Sequence, residues 1–376
     1  MPVLPKASDA PAVSAGPTGS HLGATTWQKE MQEAFRNLGG LLKFLDLDPS
    51  EAPAAFGVEE TDELLSRSGG YRTLPRTSGT LSADPGFPIL IPKSFASRMA
   101  KGDWRDPLLL QVLPQARENA PMTGFKDDAV GDLASQIVPG LLHKYSSRAL
   151  MMVSQQCAVH CRYCFRREYP YGDLPRGQAG WDEAWAYLES AEAIDEIILS
   201  GGDPLFLENR RLERILEKAA SLPSIRTIRF HTRLPIVLPS RIEAGLVSML
   251  RSVADRKTLV IVVHANHGNE IDAECAGALN ALRAAGAMLL NQAVLLKDVN
   301  DDVDVLADLS RRLVACGTLP YYLHQLDRVT GTSHFEVPES RGRELIKGMR
   351  GKLPGYAVPR YVRETAGEPN KTPLSG

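Results

Sequence analysis

The sequence predicts an α/β protein whose main body is a parallel (β/α)6 barrel or partial barrel. Three observations carry this reading. From about residue 147, six short β-rich runs follow one another: "RALMMVS", "DEIILSG", "IRTIRFHT", "TLVIVVHAN", "AMLLNQAVLL" and "LPYYLHQLD". Most are nearly continuous apolar stretches, as expected of parallel strands covered on both faces. Helical patterns separate them, and six βα units in a row fit a barrel, with an open doubly wound sheet as the second choice.

Taken in order, residues 1–25 are rich in Pro, Ala, Ser and Gly and read as a disordered tail. Residues 26–146 read as an N-terminal helical and irregular elaboration. It begins with a helical pattern over 27–47, broken near Gly39 and Gly40, followed by a Pro-containing stretch to about 85 and short segments over 87–145. The barrel core spans 147–336. Within it the pattern over 270–285 aligns Ile271, Cys275, Leu279 and Leu282, and that over 301–316 aligns Leu306, Leu309, Leu313 and Cys316 before a stop at Gly317. Residues 337–376 form a short C-terminal segment.

Composition narrows the function classes. A hydrophobic content of 43%, a charged content of 23% and a net charge of −2 are ordinary for a globular protein and offer no general attraction for nucleic acid. No apolar run approaches the roughly 20 residues that span a bilayer. The N-terminus lacks a basic region followed by an apolar one, so it does not read as a signal peptide. Five cysteines, an odd number, argue against a secreted disulfide framework and for a cytoplasmic setting.

Three of those cysteines, Cys157, Cys161 and Cys164, sit after the first strand, at the end where barrel active sites are built. Three thiolates are one short of a filled tetrahedral site. His160 would complete a zinc site, but zinc ligands usually come as two separated pairs and no second pair exists here. Cys275 and Cys316 lie on apolar helix faces, where a thiol behaves as a small hydrophobe. An iron–sulfur cubane is normally held by four cysteines; three leave one iron open to a small molecule.

The spacing C-x3-C-x2-C resembles that of the radical S-adenosylmethionine (SAM) superfamily. "LSGGDP" at the end of the second strand is similar to its glycine-rich SAM-contacting motif, which would involve Ser200, Gly201, Gly202 and Asp203. The ordered set "CFRR", "LSGGDP", "RLPIVLP", "LLNQAVLLKDVND", "PYYLHQLD" and a terminal "KTP" resembles the lysine 2,3-aminomutase family over about residues 87–374. That resemblance implies a partial barrel of radical SAM type, with three cofactors: a [4Fe-4S] cluster on Cys157, Cys161 and Cys164, SAM, and pyridoxal 5′-phosphate (PLP). It implies that Lys371 carries PLP as a Schiff base. Lys144, Tyr145 and Arg148 match phosphate contacts, with Lys144 replacing the usual arginine. Arg166 matches the clamp on the substrate carboxylate, while Asp327 and Glu364 match the acids that hold the substrate ε-ammonium. Gln292 would contact a cofactor, as would His231, Arg233, His264 and Asn291, which also fall at strand ends.

The N-terminal half resembles the branch that makes (R)-β-lysine for modification of elongation factor P. The chain stops near KTPL, as that branch does. The expected activity is therefore conversion of L-lysine to β-lysine. The expected partners are L-lysine, an electron donor such as flavodoxin or ferredoxin, and, functionally, elongation factor P with its lysyl-transferring ligase. The alternatives are an aminomutase of another amino acid such as glutamate, or a non-catalytic metal-binding partner protein.

Overall fold

Ten strands among the described residues form one sheet whose spatial order is the chain order. They are β1 (Gln136–Val138), β2 (Leu141–Tyr145), β3 (Arg148–Ser154), β4 (Glu196–Gly201), β5 (Thr227–Thr232), β6 (Thr258–Val263), β7 (Met288–Val294), β8 (Leu319–His324), β9 (Arg360–Arg363) and β10 (Thr372–Pro373). The computed structural model describes residues 26–53, 87–175, 177 and 179–375. The expected disordered tail, and most of the Pro-containing stretch after 47, lie outside the described residues.

Strands β3 to β9 run parallel to one another. β1 and β2 extend the sheet as an antiparallel hairpin before β3, and β10 closes antiparallel on β9. A doubly wound sheet reverses its strand order partway, and this one does not, so the alternative topology is set aside. β9 supplies a seventh parallel strand beyond the six runs read from the sequence. With only four residues and a charged one at each end, it carries almost no apolar periodicity of its own.

The sheet curls around one cavity. Residues of β2 (Lys144), β4 (Ser200), β7 (Gln292), β9 (Val362) and β10 (Pro373) share its wall. No ladder joins β1 to β10 among the described residues. Instead Tyr145, at the end of β2, donates to Glu364 Oε1, just past β9, at 2.6 Å. The result is a partial barrel with its gap bridged by side chains.

Helices cover the outside: α3 (Asp182–Ser190), α4 (Asn209–Ser221), α5 (Ala244–Ala254), α6 (Ala273–Ala284), α7 (Val303–Ala315) and α8 (Glu339–Arg350), after α1 (Thr26–Gln32) and α2 (Leu38–Phe44) in the N-terminal region. Each barrel helix buries one stripe, such as Leu306, Leu309 and Leu313 on α7, against strand residues such as Ile197, Ile228 and Ile261. Asp272 caps α6 by accepting from Cys275 N, and Asp302 caps α7 by accepting from Asp304 N. The cap at Asp272 leaves Ile271 outside the helix, although it is buried.

One expectation is corrected here. The break in the 27–47 pattern is not at Gly39 and Gly40, which lie inside α2. It falls at 33–37, where Phe35 pairs with Ile91 as an isolated bridge and Asn37 caps α2 by accepting from Gly40 N at 2.8 Å. A good N-cap outweighs two poor helix formers. No helix among the described residues is long and apolar enough to cross a membrane.

Candidate active site

Cys157, Cys161 and Cys164 lie on the loop leaving the C-terminal end of β3, and all three line the cavity. The loop is pinned from behind by the N-terminal region. His160 N donates to Leu90 O at 3.0 Å and Arg162 N to Gln111 O at 2.8 Å. The buried carboxylate of Glu118 accepts from Arg162 Nε at 3.0 Å and from Arg167 Nη1 at 3.1 Å. His160, the possible zinc ligand, is turned away: its Nδ1 faces Pro88 O at 2.7 Å, its ring stacks on Phe87, and it is not part of the cavity wall. Cys275 and Cys316 are buried in the helical layer.

The glycine-rich loop is locked to the cysteine loop. Gly202 N donates to Ser154 O and Asp203 N to Gln156 O, both at 2.8 Å. Gly201 has φ +117°, and a Cβ there would stand 2.4 Å from Ser154 O; a Cβ on Gly202 would stand 2.4 Å from Gln156 O. The close approach that these glycines permit is thus first of all to the backbone entering the cysteine loop. Asp203 lines the cavity, yet its carboxylate accepts from Thr232 Oγ1 at 2.7 Å, Arg233 N at 2.7 Å and Leu205 N at 3.0 Å. Burial pushes it up to about 6 despite those bonds.

A chain of alternating charges crosses the cavity. Arg166 donates through Nε to Asp132 Oδ2 at 2.7 Å and through Nη1 to Ser200 Oγ at 3.1 Å. Asp132 Oδ1 is 2.7 Å from Lys144 Nζ, which also donates to Val130 O at 2.8 Å and lies 3.9 Å from Glu364 Oε1. Glu364 accepts from Tyr145 and from Lys371 Nζ. Arg148 stacks its guanidinium 4.1 Å from the centre of the Tyr145 ring. Asp327 faces the same space; burial raises its carboxyl to about 7, with the Lys371 charge opposing. Burial would also raise Glu364, but Lys371 and Tyr145 hold it below its ordinary value.

The strand-end residues divide. His231, Arg233, His264 and Gln292 line the cavity. Asn291 does not: it is buried, its Oδ1 accepts from Ala265 N at 2.9 Å and its Nδ2 donates to Ala265 O at 3.1 Å, tying β7 to the chain just past β6. Sequence reasoning missed Asp132, a loop residue in "VGDLAS" with no local signal, and the imidazole of His324 on β8. It missed also the buried set Gln111, Glu270 and Asn266 around Arg233.

The donor set suits a cluster with SAM. Burial, reinforced by the neighbouring thiols, pushes Cys157 up and Cys164 up to about 11, and a bound cationic metal would favour the thiolate form of both. No three His, Cys, Asp or Glu side chains among the described residues converge on a single-ion site, whereas a cubane takes its thiolates at separate corners. The other end suits PLP: a lysine amine, neighbouring cations, and His231 Nε2 and His324 Nε2, which are buried without partners. The cavity volume of about 1280 Å³ exceeds that of a typical single-ligand pocket.

Comparison with known proteins agrees. Residues 146–231 match the family described as a 4Fe-4S single cluster domain. An L-lysine 2,3-aminomutase of Escherichia coli (strain K12) is 44% identical over 329 residues, 87% of this chain and 91% of that protein. One from Haemophilus influenzae is 42% identical, covering 76% of this chain and 84% of that protein. A solved radical SAM methyltransferase from Sphaerobacter thermophilus is 21% identical with a TM-score of 0.39, covering 60% of this chain and 71% of that one. Sequence identity of 42–44% sustained over most of the chain leads to one conclusion: this chain belongs to the lysine 2,3-aminomutase family, isomerases that work with a [4Fe-4S] cluster, SAM and PLP.

Proposed function

We propose that the protein converts L-lysine to β-lysine in the cytoplasm, using an electron from a flavodoxin- or ferredoxin-like donor, and that the product serves modification of elongation factor P. The observation that carries the substrate is the charge layout of the cavity. A buried arginine, Arg166, stands beside the cysteine loop, while two acids, Asp327 and Glu364, stand on the Lys371 side. Lysine has a carboxylate at one end and an ammonium at the other, and this layout meets both. A glutamate side chain would bring a second carboxylate against the two acids.

When bound, the cluster and SAM supply a hydrogen-abstracting carbon radical, and PLP supplies an electron sink for the migrating nitrogen. Around them the chain's own residues do the positioning. Cys157, Cys161 and Cys164 would hold three irons, with Ser200, Gly201, Gly202, Asp203 and Gln292 framing SAM. Lys371 would hold PLP, with Lys144, Tyr145 and Arg148 toward its phosphate. Arg166, fixed by Asp132 and Ser200, presents its remaining N–H groups to the substrate carboxylate. Burial raises the Asp327 carboxyl to about 7, and an ammonium beside it would draw it into the charged form.

The test is anaerobic incubation of the reconstituted protein with SAM, PLP, dithionite and either L-lysine or L-glutamate, followed by chromatography. β-Lysine formation is expected from lysine alone. A cluster-loaded protein that turned over glutamate, or neither, would overturn the assignment. For the cellular role, deletion of the gene should remove the β-lysyl mass increment from elongation factor P; an unchanged increment would refute that part.

A further inference from the structure

Arg233 follows β5 and is 7% exposed. Its Nη1 lies 2.7 Å from Cys161 Sγ. The other terminal nitrogen, Nη2, donates to Gln111 Oε1 at 2.7 Å and Glu270 Oε2 at 2.9 Å. Phe95 and Tyr163 present their ring faces to the guanidinium at 5.3 and 5.6 Å. Glu270 is itself immobile: it is fully buried, and its Oε1 accepts from Asn266 N at 2.8 Å and His267 N at 3.0 Å. A rigid carboxylate and an amide thus aim one N–H of a planar fork at one sulfur.

We propose that Arg233 is a positioning residue that raises the reduction potential of the cluster, through an N–H···S bond to Cys161 and a buried positive charge beside it. The inference rests on the reading that Cys157, Cys161 and Cys164 hold that cluster. Reduction adds one electron from an external low-potential donor and makes the cluster one unit more negative, with no covalent bond formed or broken. A cation in contact with a ligand sulfur stabilises that extra charge, and hydrogen bonds to sulfur and local net charge are established levers on cluster potential. Glu270 acts in the opposite sense, but from the far side of the guanidinium, so the nearer charge wins.

The experiment is an EPR-monitored redox titration of the anaerobically reconstituted full chain, with iron and sulfide counted in each sample. Arg233→Gln should make reduction about tenfold less favourable, ~59 mV lower for a one-electron couple. Glu270→Gln, which removes the opposing charge, should move the midpoint upward. Deuterium exchange should also give an ENDOR coupling to the reduced cluster that Arg233→Gln lacks. A fully loaded Arg233→Gln variant with the wild-type midpoint overturns the proposal. If that variant loses iron, Glu270→Gln decides, and an unchanged or lower midpoint there overturns it. A wild-type chain that takes up no four-iron cluster would refute the cluster reading itself, whereas loaded variants with unmoved midpoints refute only the role of Arg233.

Discussion

At the scale of single residues, the thiols separate by surroundings. Cys157, Cys161 and Cys164 open on the cavity, whereas Cys275 is buried in the first turn of α6, with its sulfur 3.1 Å from Ile236 O, and Cys316 closes α7. Each of Cys157→Ser, Cys161→Ser and Cys164→Ser should therefore lose the iron and the absorption near 400 nm on reconstitution. Cys275→Ala and Cys316→Ala should keep both, at a cost of about 1 kcal/mol of packing, read by thermal melting. Asp327 gives a pH signature. Its carboxyl titrates at about 7 in the folded chain, against an ordinary value near 4 when unfolded. Between these values the folded state holds more protons, so the stability contributed by the protonated form is complete below about pH 4 and is lost as pH rises through about 7. Asp327→Asn cannot ionise. It should melt above wild type at about pH 8, with the difference vanishing toward pH 4. Lysine affinity should rise with pH through about 7 in wild type and stay flat in the variant, as calorimetry would show. Glu364→Gln, which removes one partner of a desolvated charge pair, should lower lysine turnover roughly 30-fold or more.

At the scale of elements, the cysteine loop keeps its shape because the turn after β4 presses against it with no side chain between. Gly202→Ala would drive a methyl into Gln156 O, and there is no flexible side-chain end to yield. We expect the two loops to part, destabilising the fold by about 1–3 kcal/mol and lowering iron content even though no ligand has changed. Gly277→Ala on α6 is the control, since a Cβ there meets nothing within 4 Å. It should melt at or slightly above wild type and retain full iron. Equal iron content in the two variants would show that the β4 turn has no part in shaping the loop.

At the scale of the whole molecule, the open barrel is held across its gap by the bond from Tyr145 to Glu364 and by the ion pair of Lys144 with Glu364 rather than by a strand ladder. Tyr145→Phe keeps the ring under Arg148 and removes only the hydroxyl. A hydrogen bond to a charged group contributes about 1.5–3 kcal/mol, so the melting temperature should fall by a few degrees. Amide exchange should speed up selectively in β2, β9 and β10, where the two edges meet, and leave β5 and β6 unchanged. Uniform acceleration would mean that the bridge is not what joins the edges.

The sequence by itself determined the features that short windows encode. Apolar runs marked β3 to β8, amphipathic stripes marked α6 and α7, and the spacing of Cys157, Cys161 and Cys164 marked a loop able to hold metal. Such features depend on neighbours a few residues apart, where periodicity and ligand spacing are read directly. The break before α2 was misplaced because the glycine pair is conspicuous in the sequence while the Asn37 cap is not. Only the tertiary structure decided which charges meet. Tyr145 and Glu364 are 219 positions apart, Arg233 and Gln111 are 122 apart, and Asp132 reaches Arg166 across 34. No local pattern marks Asp132 or Glu270, because a buried ion pair is selected by distance and dielectric after the sheet has curled. The short strands β9 and β10 were likewise invisible, since their place comes from pairing with β8 and with each other rather than from any apolar run of their own.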